Sequence, residues 1–298
     1  MKLSSFFPEK MVRNDTEISY TNYVTTSIEN SVVFALDRKN FDKAINNSAV
    51  SAIITNEEHA NLEKNQKGLV ISKSPKKDFF KIHNYIFNTK IKNQWKHSVS
   101  KKTKISNKAI IENGVIIESG VEIEDFALIK EGSILRKGVF VGSHAVVGAR
   151  GLHDTFIDDE RVWVCDSGGV LLEEGVQILS HATIQKPYFH EMTIIGKNTI
   201  ISLHANIGHG CQLGKNSMVA GHAQLAGYVK TGNNVWIGPS SSIAHNVEIG
   251  DSAEILIGSN VISNVKYGQK ISGSFAINHS ENMKSHSKSL RKTRVKTK

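Results

Sequence analysis

Cysteine is scarce in this chain, with only two among 298 residues. Two thiols cannot build the disulfide scaffold of a small secreted domain. Long apolar runs are missing as well. No stretch approaches the roughly 20 residues of a membrane-spanning helix, and the first ten residues lack the hydrophobic segment of a signal peptide. We therefore expect a cytoplasmic protein without an integral membrane segment.

Acidic residues are scarce at one end of the chain. The net charge is +9, and residues 281–298 hold seven Lys or Arg residues against one Glu, which gives +6 for that segment. We expect residues 269–298 to form a basic tail, partly helical or disordered. Its charge suits an acidic partner. Because residues 281–298 contain no aromatic side chain, we expect no nucleic-acid partner.

What the chain does have is a six-residue repeat. From Ile195 to Val261 an aliphatic residue, the anchor of each hexad, returns every six positions except at Thr231, and a small or β-branched residue stands four positions after each. Period six fits neither a 3.6-residue helix nor the alternation of one long strand. A short fixed period is typical of a solenoid whose coils share one core. The anchors are Ile195, Ile201, Ile207, Leu213, Val219, Leu225, Thr231, Ile237, Ile243, Ile249, Ile255 and Val261.

Two excursions interrupt the hexads. A first set starts at Ile105 and is broken by residues 152–171, and a second, shorter set is broken by residues 185–192. We expect the repeat domain to cover residues 98–268. Long loops inserted into a regular scaffold are where function tends to lie.

Residues 1–97 have a different pattern. Three short apolar runs, at residues 31–36, 49–54 and 68–71, are typical of buried strands, and residues 79–87 have the apolar spacing of a helix. This pattern predicts a small α/β domain.

Three hexads make one coil, so residues 18 apart lie on the same face, about 4.8 Å apart along the axis. This rule predicts that His204 and His222 stack on adjacent coils. It also places His209 and His245 in the same slot, two positions after their anchors and two coils, or roughly 10 Å, apart.

Three stretches resemble the UDP-3-O-acylglucosamine N-acyltransferases of lipid A biosynthesis and their sugar N-acyltransferase relatives. Residues 207–214 (IGHGCQLG) match the family pattern I-A-H-N-x-x-I-G around its catalytic histidine. Residues 33–41 and the strand that follows resemble the family's nucleotide-contacting domain, and residues 270–274 resemble its S-G-x-P exit, with Phe275 in place of Pro. The resemblance implies a mainly β fold, a left-handed parallel β-helix, with residues 1–97 contacting the nucleotide.

The resemblance also implies functional residues. His209 stands where the family has its catalytic histidine, and imidazole is a base matched to neutral pH. The backbone N–H of Gly227 is the implied oxyanion donor, and His245 lies one position before a second family histidine. No metal site and no permanently bound cofactor are implied. The candidates for substrate binding are Phe34 and Phe41, which would flank a pyrimidine base, together with His204, Gln185 and Lys186.

The implied reaction transfers an acyl group from acyl-CoA or an acyl carrier protein to the amine of a nucleotide-linked amino sugar, within a homotrimer. Two turns depart from the family. Its D-R-G-containing turn reads here as residues 185–191, one residue longer, and its G-F-G turn reads Gly151-Leu152-His153. Both lie where the substrate and acyl chain would be chosen. The product therefore fits either lipid A or a surface polysaccharide such as O-antigen.

Two other functions stay open at this point. His204 and His209 form an H-x4-H stretch that resembles the zinc-binding segment of γ-class carbonic anhydrases. The third histidine of that family would fall near Gly168, where this chain has none. The other alternative is a non-catalytic scaffold that binds a nucleotide sugar through loops carrying Trp163, Tyr188 and Phe189.

Overall fold

The computed structural model describes residues 1–59, 66–92, 94–273, 276, 278–284 and 287–288. Within these ranges, no helix is long and apolar enough to span a membrane. Residues 279–284 of the predicted tail are helical. Ser274 and Phe275 of the exit motif and the basic residues from Arg291 onward lie outside the described residues.

The N-terminal domain is a five-stranded sheet covered by two helices. In the sheet, β2 to β5 are parallel neighbours in chain order, and β1 lies antiparallel to β5. The three predicted strands and the predicted helix are present. The strands are Val12–Arg13 (β1), Tyr20–Thr21 (β2), Ser31–Phe34 (β3), Val50–Thr55 (β4) and Gly68–Ile71 (β5). The helices are Arg38–Asn46 (α1) and Pro75–Ile86 (α2), and short helical turns lie at Leu3–Ser5, Glu9–Met11, Glu57–His59 and Phe87–Ile91.

Both faces of this sheet are buried. Alternate residues of a strand point to opposite sides, and each side is covered by a helix. On β3, Val32 packs in a cluster with α2, and Val33 packs in a second cluster with α1. Asp37 caps α1 by accepting a hydrogen bond from the Asn40 N–H at 2.8 Å. Pro75 begins α2. Its lack of an N–H costs no hydrogen bond there, because the first residues of a helix have no intrahelical acceptor.

Residues 98–271 form a left-handed parallel β-helix, as predicted. Its strands make three parallel sheets of nine, eight and eight strands, one for each side of the coil. Where the repeat is unbroken, paired residues are 18 apart, as Gln224 and Ser242 are. The pairing of Lys270–Ile271 with Glu254–Ile255 carries the β-helix past the predicted boundary at residue 268.

The strand bounds follow sheet by sheet. The nine-stranded sheet contains Lys104–Ile105, Glu122–Ile123, Phe140–Val141, Gln177–Ile178, Ile200–Ile201, Met218–Val219, Trp236–Ile237, Glu254–Ile255 and Lys270–Ile271. The eight-stranded sheet that bears the excursions, here called the excursion sheet, contains Ile110–Ile111, Leu128–Ile129, Val146–Arg150, Thr183–Lys186, Asn206–Ile207, Gln224–Leu225, Ser242–Ile243 and Asn260–Val261. The third sheet contains Ser98–Val99, Ile116–Ile117, Ser133–Leu135, Gly169–Leu172, Met192–Ile195, Gln212–Leu213, Lys230–Thr231 and Glu248–Ile249. A separate hairpin pairs Thr155–Ile157 with Glu160–Val162.

The anchors point inward and form the core of the β-helix, as Ile207 and Leu225 do. Burying one such side chain contributes about 1.5–3 kcal/mol. Many corner residues three positions after an anchor have a left-handed backbone, such as Tyr228 with a φ of 60°, and Gly, Asn and His recur there. Gly208, directly after its anchor, is required by close approach: a Cβ there would lie 2.6 Å from the backbone of Ala226 in the next coil.

The two excursions leave the excursion sheet at the same corner on consecutive coils. The first follows Val146–Arg150, and pairing resumes at Gly169, inside the predicted break. The second lies between Thr183–Lys186 and Met192–Ile195, so it is shorter than predicted at both ends.

Both excursions pack against the N-terminal domain. Val164 of the first and Phe189 of the second belong to the hydrophobic cluster that contains α2. In α2, the Asn84 side chain donates to the Trp163 carbonyl at 2.7 Å and accepts from the Cys165 N–H at 2.9 Å. The domain is therefore held against the corner from which the excursions leave.

Candidate active site

His209 follows the strand Asn206–Ile207, at the corner from which the excursions leave one and two coils earlier. Its half-buried ring lies edge-on to Tyr228 and tilted to Tyr188, with centroid distances of 5.2 Å and 5.3 Å. The Nδ1 atom is enclosed and has no hydrogen-bond partner. Nε2 is consequently the ring nitrogen that remains open to a ligand.

Gly227 lies one coil beyond His209 and makes room for the imidazole by having no side chain. A Cβ at this position would lie 2.4 Å from Cε1 and 2.6 Å from Nε2 of His209. The Gly227 N–H donates to no carbonyl of the described backbone, whereas the Tyr228 N–H donates to the His209 carbonyl at 2.8 Å. An unused N–H next to a base can serve as an oxyanion donor.

His245, two coils beyond His209, leans over Gly227 toward it. Their ring centroids are 6.2 Å apart, closer than the roughly 10 Å predicted from two coil spacings. The predicted separation is wrong for the rings because the intervening coil presents only a glycine in this slot. His245 is exposed and also lies 5.7 Å from Tyr228, between ring centroids.

A second histidine, not among the predicted site residues, contacts His209. His153, from the first excursion, lies edge-on to His209 with ring centroids 5.0 Å apart. Its Nδ1 is hydrogen-bonded to the Asp166 carboxylate, and Arg150 donates to both oxygens of that carboxylate at 3.1 Å. Counting hexads along the excursion sheet indicates that this excursion leaves from the corner of His209. The period alone does not predict the path of the loop.

The site keeps His209 neutral. Burial lowers its pKa to about 4, the neighbouring His153 and His245 act in the same direction, and Asp166 opposes them. At pH 7 the imidazole can therefore accept a proton. The flanking phenols stay protonated, because burial raises the pKa of Tyr188 to about 12 and also raises the pKa of Tyr228.

Gln185 and Lys186 end the strand that precedes the second excursion. The Gln185 side chain donates to the Asn206 side chain at 3.0 Å, and the Gln185 backbone carbonyl accepts from the Thr193 hydroxyl at 2.7 Å. Gln185 thus stabilises the strand that precedes His209. Lys186 is half-buried, and burial lowers the pKa of its ammonium group.

Phe34 and Phe41 do not meet. The Phe34 ring packs on Phe79 with centroids 4.9 Å apart, in the cluster with α2. Phe41 is 2% exposed and lies in the cluster with α1, on the other face of the sheet. The two rings therefore cannot flank the same base, which corrects that part of the prediction.

His204 lies at a different corner from His209, after a strand of the nine-stranded sheet. It is exposed and stacks on His181 and His222 with centroid distances of 4.8 Å and 5.0 Å, the second as predicted. His204 and His209 thus do not share the ridge that the zinc hypothesis requires. Within the part of the chain that the structure describes, no group of three His, Cys, Asp or Glu side chains could hold a metal ion.

The N-terminal domain reaches the site through Tyr23, whose ring centroid lies 5.4 Å from that of Tyr228 and 5.9 Å from that of Tyr188. The preceding residue, Asn22, is 1% exposed, and neither atom of its side-chain amide has a hydrogen-bond partner. Buried amides rarely lack partners. Asn22 therefore offers an unused donor and an unused acceptor next to Tyr23.

Comparison with known proteins agrees with the repeat. Residues 228–262 match the family model of the bacterial transferase hexapeptide (six repeats). The UDP-3-O-acylglucosamine N-acyltransferase of Trichodesmium erythraeum is 39% identical over 74 residues, which are 24% of this chain and 21% of that protein. The one from Nostoc punctiforme is 39% identical over 70 residues, 23% of this chain and 19% of that protein. The matches span only about a fifth of the length of these relatives.

Two solved structures also show similarity to this chain. LpxA from Acinetobacter baumannii is 18% identical, with 63% of this chain and 77% of that chain covered and a TM-score of 0.46. A mutant of perosamine N-acetyltransferase from Caulobacter crescentus, in complex with CoA and GDP-perosamine, is 11% identical, with 75% and 67% covered and a TM-score of 0.25. The family match and the sequence matches confirm the predicted resemblance: part of this chain is similar to the UDP-3-O-acylglucosamine N-acyltransferases and carries the hexapeptide repeat.

Proposed function

We propose that this protein is an N-acyltransferase that moves an acyl group from a thioester, acyl-CoA or an acyl carrier protein, to the amine of a nucleotide-linked amino sugar. One observation carries the proposal. The open Nε2 of a neutral His209 lies directly beside Gly227, whose N–H is unused by the described backbone.

In the proposed reaction the sugar amine attacks the thioester carbonyl carbon and the C–N bond forms. The Gly227 N–H donates to the oxyanion that develops on the carbonyl oxygen. His209 Nε2 accepts the proton of the resulting ammonium group. The C–S bond then breaks, and the departing thiolate takes that proton from His209. No further reactant is needed.

The nucleotide is proposed to bind at the carboxyl edge of the parallel strands in the N-terminal domain, where ligands of such sheets commonly bind. Asn22 follows β2 and Asn56 follows β4, and both carry enclosed side-chain atoms without a partner. Tyr23 connects this edge to Tyr228, and so to His209. A nucleotide sugar at the edge would present its sugar to the corner.

The proposal extends to the remaining features that the resemblance implies. It comprises a cytoplasmic homotrimer without a resident cofactor, in which the thioester lies along a groove beside the coils between two subunits. It also comprises a product destined for lipid A or for a surface polysaccharide, and an acyl carrier protein as the acidic partner of the basic tail.

The test is thiol release by the purified protein, with acetyl-CoA and a panel of UDP- and dTDP-linked amino sugars. We expect sugar-dependent release that His209→Ala reduces by at least about a hundredfold. The matched control is His222→Ala, an exposed corner histidine that should retain wild-type rates. Near-normal turnover of His209→Ala contradicts the assignment. If no sugar supports release, long-chain acyl carrier protein with a lipid A precursor is the next donor and acceptor pair.

A further inference from the structure

In the first excursion, the contact with Asp166 determines which ring nitrogen of His153 carries the hydrogen. The His153 side chain is fully enclosed, with 0% exposure, and its Nδ1 bonds to the Asp166 carboxylate. Arg150 donates to that carboxylate and to the Val164 carbonyl, at 3.1 Å and 2.9 Å. A carboxylate held by a guanidinium group remains an acceptor, so His153 Nδ1 carries the hydrogen. Nε2 of a neutral His153 is therefore an acceptor.

Two enclosed ring nitrogens lie in adjacent rings, and neither has a partner: His153 Nε2 and His209 Nδ1. The rings are perpendicular, at 86°, with centroids 5.0 Å apart. Enclosed polar atoms rarely stay unpaired, and one of these two can only accept. With the centroids this close, rotation of the rings can bring the two nitrogens within hydrogen-bond distance, as happens when loosely aligned catalytic contacts tighten on substrate binding.

We propose that His153 is a positioning residue for His209: its Nε2 accepts the His209 Nδ1–H, and Asp166 holds His153 in the tautomer that can do so. This role rests on the proposed acyl transfer. With the hydrogen on Nδ1, the lone pair of His209 lies on the open Nε2. After Nε2 takes the proton of the substrate ammonium group, His153 remains hydrogen-bonded to the imidazolium until Nε2 passes that proton to the thiolate.

The other groups that face His209 do not take this role. Tyr188 and Tyr228 lie with ring centroids 5.3 Å and 5.2 Å from that of His209, but a phenol hydroxyl can both donate and accept, so neither fixes the His209 tautomer. His245 approaches across Gly227, on the side where Nε2 is open. His153 alone among these neighbours combines an enclosed, unpartnered acceptor nitrogen with a carboxylate behind it.

The tautomer can be measured without any substrate. In ¹⁵N-histidine-labelled protein near pH 7, two-bond ¹H–¹⁵N correlations of the His209 ring distinguish Nδ1–H from Nε2–H. We expect Nδ1–H in the wild type, Nε2–H in His153→Phe, and Nδ1–H again in His153→Gln, whose amide oxygen can accept. The Nε2–H form in the wild type, or an unchanged tautomer in His153→Phe, overturns the proposal.

A second variant guards against a misfolded His153→Phe. In Asp166→Asn, Arg150 retains the amide oxygen and the NH₂ group faces His153 Nδ1. His153 Nε2 then becomes a donor, and His209 is expected to shift to Nε2–H. An unchanged His209 tautomer in a folded Asp166→Asn protein also overturns the proposal.

Kinetics separate positioning from a structural role. With whichever sugar supports thiol release, we expect His153→Phe to lower kcat by about a hundredfold or more with little change in KM, and His153→Gln to recover most of that loss. Equal losses in both variants contradict the role. A wild-type protein that shows the expected tautomer but releases no thiol with any donor refutes the acyl-transfer function and leaves the His153–His209 contact standing.

Discussion

Adding one methyl group at Gly227 should abolish most activity and leave the fold intact. The Cβ of Gly227→Ala would lie 2.4 Å from His209 Cε1, while ordinary contact begins at 3.4 Å. The ring must therefore retreat by about 1 Å. A misplacement of that size at a reacting group costs on the order of a hundredfold in rate, or about 2.7 kcal/mol in the activation barrier.

Stability should change far less. The backbone of Gly227 does not adopt a left-handed φ, so alanine fits it and even restricts the unfolded chain, which contributes about 0.4–1 kcal/mol. The three atoms nearest to the new Cβ all belong to a half-buried imidazole, which can move. We expect the free energy of unfolding in urea to change by less than about 1 kcal/mol.

Gly221→Ala is the matched control. Gly221 stands in the same slot one hexad earlier, two positions after its anchor, and the nearest atom to a new Cβ is the Leu203 carbonyl oxygen at 3.3 Å. The assay is sugar-dependent thiol release by both variants, with urea unfolding in parallel. A Gly227→Ala rate within threefold of wild type refutes the reasoning. Equal losses in both variants would assign the effect to strain in the coil rather than to His209.

Three further predictions concern titration and packing. An NMR titration of His209 should give a midpoint near pH 4, and His245→Asn should shift it upward because the neighbouring imidazole is one cause of the lowered pKa. His83 is buried and has a pKa of about 4, against 6.5 for the free side chain. Because the unfolded chain takes up a proton at His83 first, the free energy of unfolding should fall by up to roughly 3 kcal/mol as the pH falls from 6.5 toward 4. In urea unfolding, His83→Gln should lack that part of the pH dependence. Phe189→Ala, which empties a 1%-exposed position, should cost about 3–5 kcal/mol in the same assay, whereas Phe156→Ala, 74% exposed, should cost almost nothing.

The hexad period predicted most of what depends on the coil itself. It placed the anchors in the core and stacked His204 on His222, because each coil repeats the same backbone path. It failed where side chains leave that path. The His209 and His245 rings approach each other because Gly227 has no side chain between them, a consequence of one residue rather than of the period.

The excursions set a different limit on prediction. Their backbone follows no repeat, and their conformation depends on contacts with the N-terminal domain, such as Phe189 beside Phe79 and His83. Sequence alone could place His153 in a loop near the site. Its contact with Asp166, on the far side of the hairpin, depends on how that loop packs. The misplaced pairing of Phe34 and Phe41 has a similar origin, since a strand residue and a helix residue can cover opposite faces of one sheet.

One corner explains why these parts meet. Along the excursion sheet, five consecutive coils contribute in order the first excursion, the second excursion, His209, Gly227 with Tyr228, and His245. Neighbouring coils are about 4.8 Å apart, so each element reaches its neighbours only because it leaves from this corner. An excursion moved to either of the other two corners would keep its sequence but lose its contact with His209. The β-helix thus supplies the spacing, the excursions supply His153 and Tyr188, and the docked domain fixes the excursions in place.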